Sequence, residues 1–352
     1  MTIPTKSENK TVDVALFGET MLRLSPSADP RGSEAKIGSV ATLEDASSMQ
    51  AHVGGSESNT AVGLANLGHT VAWISRLTEN PIGAKICREI RDRSVDVSKV
   101  IWTDTARIGT YYYQRAIESQ PARVWYDRAD SAFSQCTPRL LAPVLEGLQA
   151  RVFHTTGISV CVSEHAFEST LAAVKKLHSA GSAISFDVNY RAKLLQPDAT
   201  RRRVEQVLPF CSFVFIPRRD TKTIFGINSN SSAEAAKHFG KLAPKAYVIV
   251  TDGANGSTCR SPLDKRFSQS AYECKRVERL GLGDAFSAGF LSGWLRTREI
   301  SFALRRAALM ASLKYETAGD FPTATSEQIE SEERNQLRKP LSTANQESKI
   351  ER

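Results

Sequence analysis

The stretch GLGDAFSAGF, residues 281–290, combines residue types that can bind an anion and accept a proton. Gly281 and Gly283 allow a tight backbone turn that exposes peptide N–H groups. Asp284 follows at the expected start of a helix, where the N-terminal dipole favours an anion and a phosphate can be held. The same residues are equally consistent with an ordinary turn in which Asp284 is the N-cap. This stretch alone leaves both interpretations open.

A second glycine pair lies in HVGGSESNTAVGLANLG, residues 52–68. Two glycines allow a ligand to approach the backbone closely, and Asn59 can both donate to and accept from a hydroxyl group. The pattern therefore predicts contact with a hydroxylated ligand. The alternative is a plain strand-to-helix turn, because glycine pairs are common in turns.

Two further stretches place polar residues at the ends of apolar runs. SFDVNYR, residues 185–191, ends a buried strand with Asp187, Asn189 and Arg191, and a planar guanidinium suits bidentate capture of a carboxylate. The alternative for Arg191 is a pair with a surface acid. VTDGANGS, residues 250–257, is a strand followed by two glycines and can cradle a nucleotide. Neither GxxxxGK[ST] nor a complete GxGxxG occurs in the sequence, which argues against a P-loop or dinucleotide site.

The elements that position these residues alternate along the chain. Helical spacing characterises residues 167–181 and 231–243, and this alternation predicts a parallel sheet covered on both faces, with ligands at its carboxyl edge. Short β-rich runs occupy 12–17, 71–75, 151–156, 183–188, 213–216 and 247–251.

Two other β-rich stretches contain no helical segment, namely ETMLRLSP (19–26) and GTYYYQRAIESQPARVWYDR (109–128). The second has the pattern of a hairpin with ESQP as its turn. Strands that do not fit the alternating pattern predict a small separate flap over the ligand-binding edge.

Composition narrows the class of protein. The 352 residues are 41% hydrophobic and 24% charged, as in ordinary globular domains. No apolar run approaches the roughly 20 residues of a membrane span, and the first residues lack a secretory h-region, which favours a cytoplasmic protein without a membrane partner. The six scattered cysteines indicate reduced, mostly buried thiols. The net charge of +8 is dispersed, which argues against nucleic acid and suits a small anionic ligand.

The motifs GGSESN, DVNYR, VTDGANG and GLGDAFSAGF, in this order and spacing, resemble the ribokinase-like (PfkB) family of sugar kinases. Within it, FGETMLRLSP, RLTENPIG, YDRADSAFS, FDVNYR and AGDFP are most similar to 2-keto-3-deoxygluconate kinases. The resemblance covers residues 12–330. It implies a ribokinase-like three-layer α/β/α Rossmann-like domain with a small β-sheet lid, and ATP-dependent formation of 2-keto-3-deoxy-6-phosphogluconate with Mg²⁺ as cofactor.

The resemblance also assigns roles to individual residues. Asp284 would be the general base that takes the proton from the sugar hydroxyl, and the N–H groups of 281–284 would form an anion hole for the phosphoryl group. The positions that match sugar-acid contacts are Gly55, Ser56, Glu57, Ser58, Asn59, Tyr111, Tyr126, Asp127, Arg128, Arg191, Asp284 and Asp320. The positions that match the nucleotide cleft are Asn189, Tyr190, Arg191, Thr251, Asp252, Gly253, Ala254, Asn255, Gly256, Ser257, Gly281, Leu282, Gly283, Asp284 and Ala308.

The expected organisation is a polar leader at 1–11, a kinase domain at 12–330 and a polar, disordered tail at 331–352. Lid strands are expected within about 19–54 and 100–131. Uncovered edges and apolar faces tend to be paired, so an exposed aromatic lid predicts a homo-oligomer formed through the lid.

Two stretches depart from the family pattern. In VERLGLGD, residues 277–284, Glu278 and Leu282 stand where Asp and Ala are commoner, and Leu282 would contribute only its N–H group. The second departure is PRRD. The family usually has Asn-x-x-Glu after the strand that corresponds to FVFI, where it helps to organise Mg²⁺ and phosphate. This chain reads PRRD, with Pro217 in place of the amide and Asp220 in place of the acid. Asp220 can still act through a metal-bound water. The alternatives are a kinase for another sugar such as fructose, or a sensor that binds sugar and nucleotide without turnover.

Overall fold

The computed structural model describes residues 11–27, 42–116, 121–335 and 338–341. Its strands, in chain order, are β1 (Val12–Phe17), β2 (Met21–Pro26), β3 (Met49–Gly54), β4 (Val71–Ile74), β5 (Arg76–Thr78), β6 (Ile101–Thr103), β7 (Thr110–Gln114), β8 (Arg123–Asp127), β9 (Ala150–Thr156), β10 (Ala183–Asp187), β11 (Cys211–Pro217), β12 (Tyr247–Thr251), β13 (Ser257–Arg260) and β14 (Arg266–Gln269).

Helices separate most of these strands. They are α1 (Ser56–Asn66), α2 (Pro81–Arg91), α3 (Pro138–Leu141), α4 (Gly157–Cys161), α5 (Glu164–Ser179), α6 (Pro197–Val207), α7 (Arg218–Phe225), α8 (Ser232–Phe239), α9 (Leu282–Thr297), α10 (Ile300–Tyr315) and α11 (Ser326–Asn335). Short 3₁₀ turns lie at Leu208–Phe210 and Gly253–Asn255. In the described segments, every helix is too short or too polar to cross a membrane.

The main sheet has eight strands in the order β14-β13-β12-β11-β10-β9-β1-β4. All pairs from β12 to β4 are parallel, whereas β13 and β14 add antiparallel strands at one edge. The β-rich runs predicted from the sequence all lie in this sheet. Because parallel strands share one carboxyl edge, the residues that follow β10, β11 and β12 lie along that edge.

Side chains alternate between the two faces of the sheet, as the strand period of two requires. Ala15 and Phe17 of β1 join the core beneath α4 to α8, while Val14 and Leu16 join the core beneath α1, α2, α9 and α10. Both cores are closed to solvent, which gives the predicted three layers. All six cysteines, which fall in described segments, are free thiols, and four of them are buried.

A four-stranded sheet, β3-β2-β7-β8, forms the lid. Strands β7 and β8 pair antiparallel, as the predicted hairpin requires, while three residues of its predicted ESQP turn (118–120) lie outside the described residues. The four lid strands lie within the ranges 19–54 and 100–131. β6 pairs with β5 in a separate two-stranded sheet, so the second pair of lid strands begins at Thr110 and not near residue 100.

The two faces of the lid differ in composition. Met21, Tyr111 and Tyr113 are buried on the inner face and pack with Leu280, immediately before the GLGD turn. The outer face includes Trp125, which is 43% exposed. The inner aromatic residues therefore cover the start of α9, and the outer face leaves an aromatic residue in solvent.

The expected tail needs a correction at its start. α11 extends to Asn335 and buries Ile329, so the predicted boundary at residue 330 lies inside a helix. Arg306 contributes to this end of the helix, since its guanidinium lies 3.1 Å from a carboxylate oxygen of Glu333. Residues 342–352 lie outside the described part of the chain.

Candidate active site

Asp284 lies in the first turn of α9, at the carboxyl edge of the main sheet. The helix begins after Gly281, which is its N-cap and has no side chain to cap it. The interpretation of Asp284 as the N-cap is therefore wrong, because Asp284 is the third residue of the helix. Its side chain is 8% exposed and points into the protein.

Hydrogen bonds from α1 hold the Asp284 carboxylate. Ser56 Oγ donates to Oδ1 over 2.6 Å, and Asn59 Nδ2 donates to Oδ2 over 2.7 Å. Asn189 Nδ2 in turn donates to Ser56 Oγ over 2.7 Å. The three motifs GGSESN, DVNYR and GLGD, distant in sequence, therefore meet at one carboxylate.

The turn that precedes Asp284 leaves peptide donors available. Gly281 has φ = 75°, a left-handed conformation that favours glycine. A Cβ on Gly281 would lie 2.2 Å from the backbone oxygen of Asp320, so a larger residue is also sterically excluded. The first N–H groups of a helix lack intrahelical partners, and Gly283 is exposed. The turn can therefore direct N–H groups at an anion beside Asp284.

Two buried carboxyl groups face this turn. Burial raises the pKa of Asp284, while the hydrogen bonds from Ser56 and Asn59 oppose that rise. Burial, and secondarily the charge of Asp284, raises the pKa of Asp187 to about 8. Asp187 Oδ2 lies 3.9 Å from the position that a Cβ would occupy on Gly283. Arg191 lowers the pKa of both carboxyl groups, and the hydrogen bonds from Ser56 and Asn59 add stabilisation of the ionised form of Asp284.

The floor of the lid presents a second polar cluster. The Tyr111 hydroxyl donates to Asp320 Oδ1, and Arg23 Nη1 lies 2.9 Å from Asp320 Oδ2. Both Tyr111 and Asp320 lie against Gly54, since a Cβ there would be 2.2 Å from the Tyr111 hydroxyl oxygen. The predicted residues Tyr111 and Asp320 are therefore in contact beside the glycine pair.

Arg128 already has a carboxylate partner within the protein. Its Nη2 forms an ion pair with Glu19, whose other oxygen accepts from Ser131, and Arg128 and Glu19 are 6% and 3% exposed. The guanidinium also lies 5.5 Å from the ring centre of Tyr126. Arg128 is thus fixed under the lid, but Glu19 neutralises much of its charge.

Arg191 is different, because none of the described carboxylates forms an ion pair with it. Its Nη1 donates to the backbone oxygen of Tyr190 over 3.1 Å. Its charge lowers the pKa of Asp187, Asp220 and Asp284, which places it among the three acids. The alternative of an ordinary surface pair is not supported for this residue.

Some predicted sugar contacts point elsewhere. Asp127 is exposed on the outer side of β8, where both carboxylate oxygens lie 2.7 Å from the Arg107 guanidinium. It alternates with Tyr126 and Arg128, so strand geometry directs it away from the site. Its expected contact with the sugar is contradicted by this placement.

Two residues of the GGSESN segment are engaged inside the protein. Glu57 Oε1 accepts from Thr156 and from Ser159 Oγ, and burial raises the pKa of Glu57 to about 7. Ser58 Oγ accepts from Thr20 and donates to the Gly55 backbone oxygen. Ser56 and Asn59, three residues apart on α1, therefore share the helix face that bonds to Asp284. Glu57 and Ser58 instead bond to residues at the ends of neighbouring strands.

The predicted nucleotide residues 251–257 form a tight turn between β12 and β13. Asp252 N–H donates to the Gly256 backbone oxygen over 2.8 Å, and both Gly253 and Gly256 have positive φ. Arg218 Nε lies 2.9 Å from Asp252 Oδ1 and ties this turn to α7. Ala308 is buried on α10, and Tyr190 is half-buried against the core beneath α4 to α8.

The PRRD departure lies at the start of α7. Pro217 is the N-cap and supplies no side-chain hydrogen bond, as its chemistry requires. Asp220 is 5% exposed, and Arg219 Nε lies 3.4 Å from its Oδ1. The described residues contain no group of three acids, histidines or cysteines arranged to hold a metal. This donor set fits Mg²⁺ that arrives with phosphates and needs only one or two protein carboxylates.

Sequence reasoning missed the buried charges beneath the lid. Arg23 Nη1 lies 2.7 Å from Glu278 Oε1, and both side chains are essentially closed to solvent. Lys314, at the end of α10, is 1% exposed. The available signals were a charge at an inward position of MLRLSP and a lysine within the otherwise apolar run AALMASLKY.

Comparisons with known proteins identify the family. The model of the pfkB family of carbohydrate kinases matches residues 12–325. A 2-dehydro-3-deoxygalactonokinase of Haloferax volcanii is 33% identical over 91% of this chain and 96% of its own length. A 2-dehydro-3-deoxygluconokinase of Bacillus subtilis is 25% identical over 79% of this chain and 85% of its own.

Two solved structures share the fold. The 2-dehydro-3-deoxygluconokinase of Thermotoga maritima has a TM-score of 0.80 at 25% identity, with 92% of this chain and 98% of that chain covered. An Escherichia coli protein provisionally named ribokinase II, solved with ATP and Mg²⁺, has a TM-score of 0.79 at 19% identity, with 92% and 99% covered. The chain therefore belongs to the pfkB family of carbohydrate kinases, and it is a sugar kinase with the ribokinase-like fold.

Proposed function

We propose that this kinase transfers the γ-phosphoryl group of ATP to 2-keto-3-deoxygluconate, with Asp284 as the general base. The observation that carries the proposal is the pair of hydrogen bonds from Ser56 and Asn59 to the Asp284 carboxylate, with Asn189 bound to Ser56, beside the open turn 281–283. The names of the relatives support a keto-deoxy sugar acid as the substrate class.

The reaction requires removal of one proton and stabilisation of one anion. Asp284 takes the proton from the primary hydroxyl of the sugar, whose oxygen then bonds to the γ-phosphorus while the bond to the ADP oxygen breaks. The N–H groups of 282–284 stabilise negative charge on the transferring group. Positioning and electrostatic stabilisation supply most of the catalysis in phosphoryl transfer, and both features lie on the first turn of α9.

The remaining predicted residues position the two substrates. The turn at 251–257 and the surface near Ala308 bind the nucleotide in this proposal, with Arg191 between the nucleotide and the sugar. Mg²⁺ bound with ATP supplies positive charge to the phosphates, and Asp220 is the residue that would hold it through water. The related ATP and Mg²⁺ complex supports these ligands for the family.

Recognition of the sugar acid falls to Arg191 and the lid cluster of Tyr111, Tyr126 and Arg128. Arg191 carries the argument for a carboxylate, because no described acid is ion-paired with it, whereas Glu19 pairs with Arg128. Tyr111 and Asp320 offer a hydroxyl and a carboxylate that suit sugar hydroxyl groups.

A coupled assay of ADP release tests the proposal. The panel contains 2-keto-3-deoxygluconate, its galacto epimer, ribose and fructose, each with ATP and Mg²⁺. Turnover of the gluconate form with the highest kcat/KM supports the proposal. Preference for the galacto epimer would correct the stereochemistry, and no turnover of any sugar would overturn the assignment.

A kinase for a neutral sugar such as fructose is the second candidate, and the Arg128–Glu19 pair favours it. The double variant Glu19→Gln with Arg128→Met removes both buried charges together. A sugar acid that depends on Arg128 should lose about 2–5 kcal/mol of binding, whereas fructose should bind as before. The variant Arg191→Met removes the guanidinium that has no ion-paired acid among the described residues, and its sugar binding is compared with that of the double variant.

A non-catalytic sensor is the third candidate, because Pro217 lacks the amide that the family pattern supplies. Titration of Mg²⁺ in the presence of ATP and sugar distinguishes it. Binding of both ligands without ADP release at every Mg²⁺ concentration would favour the sensor over the kinase.

A further inference from the structure

A buried lysine lies beneath the turn that precedes Asp284, and neither the proposed chemistry nor the sequence motifs account for it. Lys314 is in the last turn of α10, with 1% of its surface exposed. A Cβ on Gly281 would lie 3.3 Å from Lys314 Cε. The lysine stem therefore packs directly against the N-cap of α9.

The charge of Lys314 has no direct counter-ion in the described segments. Its Nζ donates to the backbone oxygen of Thr317 over 3.1 Å, and no described carboxylate forms an ion pair with it. The nearby carboxylates Glu278 and Asp320 each pair with Arg23 instead, at 2.7 and 2.9 Å. A buried charge without a counter-ion destabilises the folded state. A functional role would explain why a lysine occupies this position.

The electrostatic surroundings connect Lys314 to the candidate base. The charges of Glu278, Asp320 and Asp284 raise the pKa of Lys314 against the larger effect of burial, while Arg23 lowers it. In return, Lys314 lowers the pKa of Asp284. The other groups that face Asp284 are Ser56, Glu57 and Asn59 from α1, and Asp187 and Arg191 from the segment after β10.

Resting on the kinase function proposed above, we propose that Lys314 is a positioning residue. It holds a positive charge beneath the turn at 281–284 and thereby favours both the ionised form of Asp284 and an anionic phosphoryl group at the turn. The charge lies behind the peptide groups, so it acts through Asp284 and the turn without contact with either substrate.

The test compares Lys314→Met, which keeps length without charge, with Lys314→Gln, whose amide can still donate to Thr317. Arg306→Met is the matched control. Arg306 is equally buried on the same helix, about 12 Å earlier at 1.5 Å per residue, and pairs with Glu333. Melting temperatures are measured first for every variant, followed by kcat and both KM values from pH 5.5 to 9.

Both Lys314 variants should lose about 10- to 100-fold in kcat at pH 7. This loss is no larger than the one expected when a direct oxyanion donor is removed. The acidic limb of the kcat profile should move to higher pH, because Asp284 then binds its proton more tightly. Both KM values should change less than about threefold, since Lys314 contacts neither substrate. The Arg306 control should keep the wild-type profile.

A carbon-13 titration of the aspartate carboxyls in the ligand-free protein, assigned with Asp284→Asn, gives a readout that does not depend on turnover. The Asp284 titration should move to higher pH in Lys314→Met. An active wild type with unchanged kcat and titration in the variant would overturn this inference alone. Wild-type protein that turns over no sugar would overturn the proposed function and the inference together. Failure of both neutral variants to fold would assign Lys314 to stability only and overturn the positioning role.

Discussion

Replacement of Asp284 by Asn tests whether the Asp284 carboxylate has a catalytic or a structural role. The amide keeps nearly the same shape but cannot accept the proton of the sugar hydroxyl. Loss of a general base lowers turnover by about 10²–10⁴-fold, which corresponds to roughly 3–5.5 kcal/mol at about 1.4 kcal/mol per factor of ten. We expect kcat to fall by this amount while the KM for the sugar changes little.

The structure also determines the expected effect on stability. The amide oxygen can accept from Asn59 Nδ2, and the amide nitrogen can donate to Ser56 Oγ if that hydroxyl reorients. Burial raises the pKa of Asp284 despite both hydrogen bonds, so the ionised form destabilises the folded state relative to the unfolded state. Each unit of such a shift corresponds to about 1.4 kcal/mol. Asp284→Asn should therefore unfold at the same or a higher temperature at pH 7.

The assay couples ADP release to NADH oxidation, and thermal unfolding is followed by circular dichroism. Asp92→Asn, at the exposed end of α2, is the matched control and should leave both measurements unchanged. A variant that retains more than about a third of the wild-type rate would refute the role of Asp284, given the range expected for a lost base. A lower melting temperature with normal kinetics would make the carboxylate structural.

Three further predictions concern the surrounding residues. The first is that Asp187→Asn should gain stability relative to wild type as the pH rises from 5 to 8, by at most about 1.4 kcal/mol per pH unit. The folded-state pKa of Asp187 is about 8, so in wild type the carboxyl ionises more readily in the unfolded state, and the free energy of unfolding falls as the pH rises. Urea unfolding at both pH values measures this difference. Gly281→Ala should lower kcat, since its φ of 75° and its contact with Asp320 exclude a Cβ; normal kcat would show that the turn adapts. Trp125→Glu on the outer lid face should convert a dimer to monomers in sedimentation velocity, and wild-type monomers at micromolar concentration would refute pairing through the lid.

The order of the motifs along the chain was sufficient to predict the family and the three layers. Alternating β-rich and helical segments predict a parallel sheet because those periodicities come from local backbone geometry. The lid strands were also predictable, since ETMLRLSP and GTYYYQR contain no helical segment. Local sequence also predicted that Pro217 supplies no side-chain hydrogen bond.

Pairing between distant segments was not predictable in the same way. β6 pairs with β5 rather than with the lid, and Asp127 points outward to Arg107 because of its place in the strand alternation. The start of α9 at Gly281 made Asp284 the third helical residue. Each outcome depends on which segments meet, and short-range patterns do not contain that information.

The sequence by itself determined the chemical groups available: a carboxylate, a glycine turn, and two arginines. Only the tertiary structure decided which of those groups remain available to a ligand. Folding brought Glu19 to Arg128 but left Arg191 without an ion-paired acid in the described residues, and it placed Lys314 beneath Gly281. The physical reason is that burial and charge neutralisation depend on neighbours in space, and these partners lie more than a hundred residues apart or on separate elements.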